Sequence, residues 1–272
     1  MPVRESRAKR RQRKEERYAW GKLALVGVAV AGLVLFYMRS MLSHRELNPE
    51  TLCPSRPQSV TVLLVDVTDP MNLPQRQDFN NQLDRLLEQI PRYGKLVVMK
   101  VDPVSDRLLA PVITRCNPGS AADVSDVSGN PQKLEKQHAE GFIAPLKAAF
   151  GSLLSASNAP RSPILESIQS ANLTELQQPL LGDVPKRLIV ASDLLQNTGE
   201  ITFYRSLPDP ASFVKSQSFS RVRTDLRGVE VELWMLQRAD STHTQPRALP
   251  DLWDEIITAQ GGQLRRIYTV SG

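Results

Sequence analysis

Apolar residues follow two different patterns along the chain. Near the N-terminus they run without a period: Leu23 to Met38 reads LALVGVAVAGLVLFYM, with no charged side chain. An apolar surface all round a helix suits lipid better than a protein core. About 20 such residues are needed to cross the hydrocarbon of a bilayer. With Trp20 and Gly21 on one side and Arg39 on the other, the stretch predicts one transmembrane helix over residues 20–41. Trp20 and Tyr37 stand where interfacial aromatic residues are expected, and Lys22 can extend its amine to the headgroups. The A-x-A-like stretch, Ala29-Val30-Ala31, lies inside the apolar run with bulky residues after it, so an uncleaved anchor is expected rather than a signal peptide.

Beyond a polar, proline-containing linker at 42–57, the pattern becomes one of short β-branched runs alternating with helical spacing. Ser59–Asp66 (SVTVLLVD) reads as a buried strand. Phe79–Ile90 places Phe79, Leu83, Leu86, Leu87 and Ile90 on one helical face, and Pro91 and Gly94 end it. Lys95–Val101 is a second strand. Residues 102–106 turn, and Arg107–Arg115 returns as an antiparallel third strand, which Pro111 marks as an edge. A polar loop runs from Cys116 to about 131. A helix follows over 132–155, where Gly141 and Pro145 are positioned to kink or split it. Ser162–Ala171 is a short helix opening on Ser162. Arg187–Ser192 is a strand, Glu200–Tyr204 a short one, and 210–226 a helix. Val229–Leu236 is a strand, Leu249–Gln260 a helix, and Gln263–Val270 the last strand. Such alternation predicts an α/β fold: a doubly wound, mostly parallel sheet with one antiparallel edge strand, covered by helices on both faces.

Charge changes the picture of the N-terminus. The net charge of +5 suggests a nucleic-acid surface until it is located. Residues 1–22 hold nine Lys and Arg against three Glu, a net +6, so the rest of the chain sums to −1. The basic residues 1–19 therefore read as a cytoplasmic tail that orients the anchor and lies against anionic lipid, with the folded part on the far side. No nucleic-acid partner is expected. A bacterial inner membrane, with the C-terminal domain in the periplasm, fits the tail and anchor. Cys53 and Cys116 both fall on the far side, where they are either a disulfide or two separate thiols.

Ligands of doubly wound sheets bind at the carboxyl ends of strands, near the reversal of strand order. Three segments bring oxygen-bearing side chains there: Asp66-Val67-Thr68-Asp69-Pro70, Ser162-Pro163 and Ser192-Asp193. Carboxylates and hydroxyls together suit a hard divalent cation such as Mg²⁺. The competing reading is that Asp66 and Asp193 only cap local structure.

In these residues the chain, over about 58–271, resembles the von Willebrand factor A (vWA) family. In that family the first strand ends in a D-x-S-x-S loop, a Thr or Ser lies in a later loop, and an Asp follows the fourth strand, often as S-D-G. The resemblance matches Asp66 and Thr68 to the first and third loop positions, Ser162 to the later Thr, and Asp193 to the second acid. It implies a metal-ion-dependent adhesion site made of Asp66, Thr68, Ser162 and Asp193. Two positions depart from it: Pro70 stands where the family has its second serine, and Leu194 where it has glycine. Asp69 is the candidate replacement ligand. The sheet order implied by the family also brings Cys53 and Cys116 to the same end of the sheet, which implies a disulfide.

The function expected is therefore a membrane-anchored vWA-like binding module, mediating protein–protein interaction or assembly at the extracytoplasmic face through a divalent metal. The alternative is a metal-independent structural component of an envelope complex, in secretion, conjugation or defence. A Rossmann-like hydrolase using Asp66 and Asp193 is less well supported. His44, His138 and His243 have no triad spacing, no glycine-rich phosphate loop precedes a helix, and no cluster reads as zinc. The chain is thus not expected to be an enzyme. Asn172-Leu173-Thr174 is a lone glycosylation sequon.

Overall fold

The computed structural model describes residues 7–43, 46–68, 70–104, 108–124, 130–154, 159–238 and 245–271. The chain forms two compact units, Met1–Glu46 and Leu47–Gly272. The first contains the helix α1, Arg7–Ser43, which takes in most of the basic tail as well as the apolar run. Within it Trp20–Met38, 19 residues with none buried, is long and apolar enough to cross a membrane by length and composition.

The second unit is built on a six-stranded sheet in the order β3-β2-β1-β4-β5-β6. Its strands are β1 (Val60–Val65), β2 (Lys95–Lys100), β3 (Ile113–Cys116), β4 (Lys186–Ser192), β5 (Val229–Leu236) and β6 (Gln263–Val270). All neighbours are parallel except β2 and β3. This is the fold class and sheet order that the vWA resemblance implies. The central strands are buried on both faces, which is why they read as continuous apolar runs. On one face, Leu63, Val65, Ile189 and Trp234 pack against Phe79, Leu83 and Leu86 of α2 (Leu73–Gln89). Phe142, Leu146 and Phe150 from the helical stretch 131–153 complete that layer. On the other, Val62, Leu64, Leu188, Val190 and Leu233 pack against Ile164, Leu165 and Ile168, and against Leu252, Trp253 and Ile256.

Several boundaries differ from expectation for local reasons. α2 begins six residues before Phe79. Asn72 accepts from the Gln75 amide, Gln75 Oε1 accepts from the Asn72 amide, and Pro74 sits in the first turn. That reciprocal cap satisfies two otherwise orphaned donors. The helix expected over 132–155 is split into two α-helical parts at the expected place. α3 (Pro131–Gln137) and α4 (Ala144–Leu153) are joined by a π-helical stretch, His138–Ile143. Pro145 has no amide to give Gly141, and the widened turn absorbs the mismatch: the Ala144 amide reaches back to the Ala139 carbonyl. The third strand is shorter than Arg107–Arg115. Pro111 lies before it, and pairing with β2 covers only Ile113–Cys116. Glu200–Tyr204 makes only a single bridge, Thr202 to Asn197. The helix expected over 210–226 is two, α6 (Pro210–Phe213) and α7 (Gln217–Val222), because Ser216 restarts the chain as a new cap. The remaining helices are α5 (Ile164–Ala171), continued by a π turn over Asn172–Leu176, and α8 (Leu249–Ala259).

The linker reading of 42–57 is corrected over its second half: the domain starts at Leu47, not 58. Leu47 bridges Pro54, the Asn48 amide donates to the Cys53 carbonyl at 2.8 Å, and Leu52 is buried. A disulfide joins Cys53 to Cys116, with Cα atoms 4.8 Å apart. Cys116 lies opposite Lys95, the first residue of β2, at the amino end of the parallel strands.

The sequon Asn172-Leu173-Thr174 is structural. Asn172 is fully buried, and its side-chain amide donates to Thr224 Oγ1 and the Asp225 carbonyl, both at 2.8 Å.

Candidate functional site

The order of the sheet reverses between β1 and β4. Chain connection runs from β1 to β2 on one side and resumes at β4 on the other, and β4 is paired in register so that Val65 faces Ala191. Asp66 and Ser192 therefore emerge side by side at the carboxyl edge, where doubly wound sheets leave a crevice. The Asp66 amide donates to the Ala191 carbonyl at 2.8 Å, fixing the first residue of the loop.

The four described residues chosen from sequence converge here. Asp66 Oδ1 accepts from the Thr68 amide (3.0 Å) and hydroxyl (2.6 Å). Asp66 Oδ2 accepts from Ser162 Oγ (2.7 Å) and Ser192 Oγ (2.8 Å). Four donors use the acceptor capacity of one carboxylate. Ser162 is held in place by its backbone, which exchanges two 2.9 Å hydrogen bonds with Asn197. Asp193 Oδ1 accepts from the Leu195 amide at 2.9 Å. Ser192 Oγ lies between the two acids, 2.8 Å from Asp66 Oδ2 and 3.5 Å from Asp193 Oδ1. Asp69, the candidate extra ligand, lies outside the described residues, as do His44 and His243.

Leu194, at the family's glycine position, has φ +63°. The left-handed turn is kept without glycine, at a cost of about 1–2 kcal/mol. Burial of the leucine side chain offsets that cost, as does a 2.9 Å hydrogen bond from Trp253 Nε1 to the Leu194 carbonyl.

The partner that sequence reasoning missed is Arg238, two residues beyond β5. Its Nε lies 2.5 Å from Asp193 Oδ2, and its Nη2 donates to the Tyr204 hydroxyl at 2.8 Å. The guanidinium carbon also stands 5.0 Å from the centre of the Tyr204 ring. Gln245 closes this side: its Nε2 donates to the Asp193 and Leu236 carbonyls, and its Oε1 accepts from the Arg238 amide. An arginine in the loop after a strand carries no local motif. The available signal was positional, since the end of β5 lies next to the end of β4.

The cluster is closed to solvent. Asp66 and Thr68 are each 4% exposed, Ser162 1% and Asp193 6%, and the Arg238 side chain 10%. Burial pushes the Asp193 carboxyl up to about 7, and the neighbouring Asp66 adds to the rise, while Arg238 and the Leu195 amide hold it back.

A resident divalent ion does not fit this donor set as it is arranged. The Thr68, Ser162 and Ser192 hydroxyls keep oxygen lone pairs, but Pro70 offers no side-chain oxygen, and the outer oxygen of Asp193 is taken by a guanidinium. A second cation would have to sit against that positive charge. Among the described residues there is no grouping of three or more His, Cys, Asp or Glu side chains placed to hold a metal.

No family model matches the sequence, and no curated protein matches it. Solved structures do. The SpRpn10 VWA domain is similar over 78% of this chain and 88% of its own, with 8% identity and a TM-score of 0.40. The conserved hypothetical protein BatB from Bacteroides thetaiotaomicron is similar over 78% and 91%, with 13% identity and a TM-score of 0.37. An aerotolerance-related membrane protein from Bacteroides fragilis NCTC 9343, carrying multiple mutations to serine, is similar over 78% and 90%, with 14% identity and a TM-score of 0.34. At these identities none of the three transfers a residue role to this chain.

Proposed function

We propose that this chain is a membrane-anchored vWA-like module that binds a protein partner at the carboxyl edge of its sheet, without a resident metal and without catalysis. The observation that carries the reading is the edge itself. A rigid, fully hydrogen-bonded polar cluster sits at the reversal of strand order, and exposed arginines flank it. Arg161 adjoins Ser162, Arg205 adjoins Tyr204, and Arg247 lies two residues after Gln245. A partner for this rim presents acidic side chains, since complementary charge sets register and encounter rate. The buried hydroxyls of Thr68, Ser162 and Ser192 are shut off from a substrate, which favours a scaffold over an active site.

The compartment belongs to the same proposal. The basic residues precede the apolar span, so α1 is read as inserting with its start in the cytoplasm and the domain outside. The Cys53–Cys116 bond suits an oxidising space such as the periplasm, and a bacterial inner membrane accommodates both features. The alternative of a structural component in an envelope complex shares the same edge and anchor and differs only in whether the contact is permanent.

The test is co-purification of the full chain from membranes in mild detergent, comparing wild type with R161E/R205E and with K133E on α3. A protein partner retained by wild type and K133E but lost from R161E/R205E is expected. Equal recovery from all three, or recovery of lipid or nucleic acid alone, would contradict the reading.

A further inference from the structure

We infer that Arg238 is the built-in cation of the carboxyl-edge cluster, occupying by side chain the role that the fold otherwise gives to a divalent ion. Two carboxylates, Asp66 and Asp193, are buried within reach of a single hydroxyl, Ser192 Oγ, at 2.8 and 3.5 Å. Two acidic groups so placed and so buried repel one another, and a cation beside them relieves that repulsion. Arg238 supplies that cation from the far side of Asp193, through Nε at 2.5 Å. Its position is held at three further points: the Tyr204 hydroxyl at 2.8 Å, the face of the Tyr204 ring at 5.0 Å, and the backbone amide on Gln245 Oε1 at 3.2 Å. Gln245 in turn grips the Asp193 and Leu236 carbonyls, so the guanidinium, the acid and the end of β5 form one unit. A guanidinium cannot be titrated away or chelated, so the counter-charge is present at every physiological pH and metal concentration.

The consequence is reciprocal. With the Arg238 charge removed, two carboxylates and three hydroxyls would face one another in a closed pocket of oxygen atoms. Such a set is satisfied by a proton or by a hard divalent cation. The inference concerns how the cluster is neutralised and stands whether or not the edge binds a partner.

The experiment uses the full chain in detergent micelles, freed of metal, as wild type, R238K, R238Q and D66A/R238Q. Mn²⁺ binding is read by the loss of its free electron-paramagnetic signal, and thermal melting is followed with and without Mg²⁺. Wild type and R238K are expected to show no stoichiometric site and no Mg²⁺-dependent shift in melting. R238Q is expected to bind one Mn²⁺ per chain at least about ten-fold more tightly than wild type, as removal of a neighbouring like charge in a buried site requires. D66A/R238Q should lose that gain. If R238Q does not fold metal-free, its recovery on adding Mg²⁺ or Mn²⁺ supports the inference. Failure to recover with either ion counts against it. A wild-type chain that binds one Mn²⁺ tightly and loses it on D193A would overturn the inference, as would a folded R238Q with no gain in affinity.

Discussion

Asp193 is pulled by opposing charges, and its linkage to stability has a definite sign. Its carboxyl is raised from 3.8 to about 7, first by burial and then by Asp66. The folded state therefore binds a proton that the unfolded state releases between about pH 4 and 7, and stability falls as pH rises through that window. D193N is expected to remove this slope from the pH dependence of denaturant unfolding. Glu232 works the other way. Burial opposes its ionisation, but Arg187 at 2.6 Å and Arg266 at 2.9 Å outweigh it and lower its pKa. Its contribution is present above the ordinary carboxylate range and is lost as pH falls through the depressed value. E232Q should flatten the acid limb below about pH 4.5 and cost about 2 kcal/mol at neutral pH, since it strips the charge partner of the half-buried Arg187. R238A should cost about 3–5 kcal/mol in denaturant unfolding, because it leaves buried Asp193 without its counter-charge. At this scale Asp66, Thr68, Ser162 and Asp193 were legible because each follows a strand or shortly precedes a helix that hydrophobic spacing already marks. Arg238, Tyr204 and Gln245 were not, because their role depends on strands that are neighbours in the sheet and distant in sequence.

At the scale of elements, strands were read more closely than their flanks. β5 and β6 appear where β-branched and aromatic runs predict them. The start of α2 is not marked by apolar spacing, because its first turn is polar; the local signal is the Asn72–Gln75 capping box with Pro74 beside it. N72A should destabilise the domain by about 1 kcal/mol in urea unfolding. The segment 47–57 was read as a linker for its prolines. Its order comes from contacts no local pattern shows: the Leu47–Pro54 bridge, the buried Leu52 and the bond to Cys116. That bond closes a loop of 63 residues, for which chain entropy gives about 4 kcal/mol. A C53A/C116A chain should therefore unfold at clearly lower denaturant concentration than the oxidised wild type. An equal midpoint would mean that the segment is held by its other contacts alone.

At the scale of the whole molecule, charge and apolarity are segregated along the chain. The cations crowd the start of α1, the unbroken apolar run follows, and the folded unit is close to neutral. The proposed orientation in a membrane rests on that segregation. Reporters fused to the C-terminus should be active only if they require export, and a C-terminal reporter active only in the cytoplasm would reverse the orientation. The central claim is that the domain meets a protein partner at the carboxyl edge, and photocrosslinking in intact membranes tests it most directly. A photoreactive residue at Thr202, beside the cluster, should give discrete adducts with one protein, and the same residue at Lys133 should not. Adducts that are equal from both positions, or lipid alone from Thr202, would contradict it.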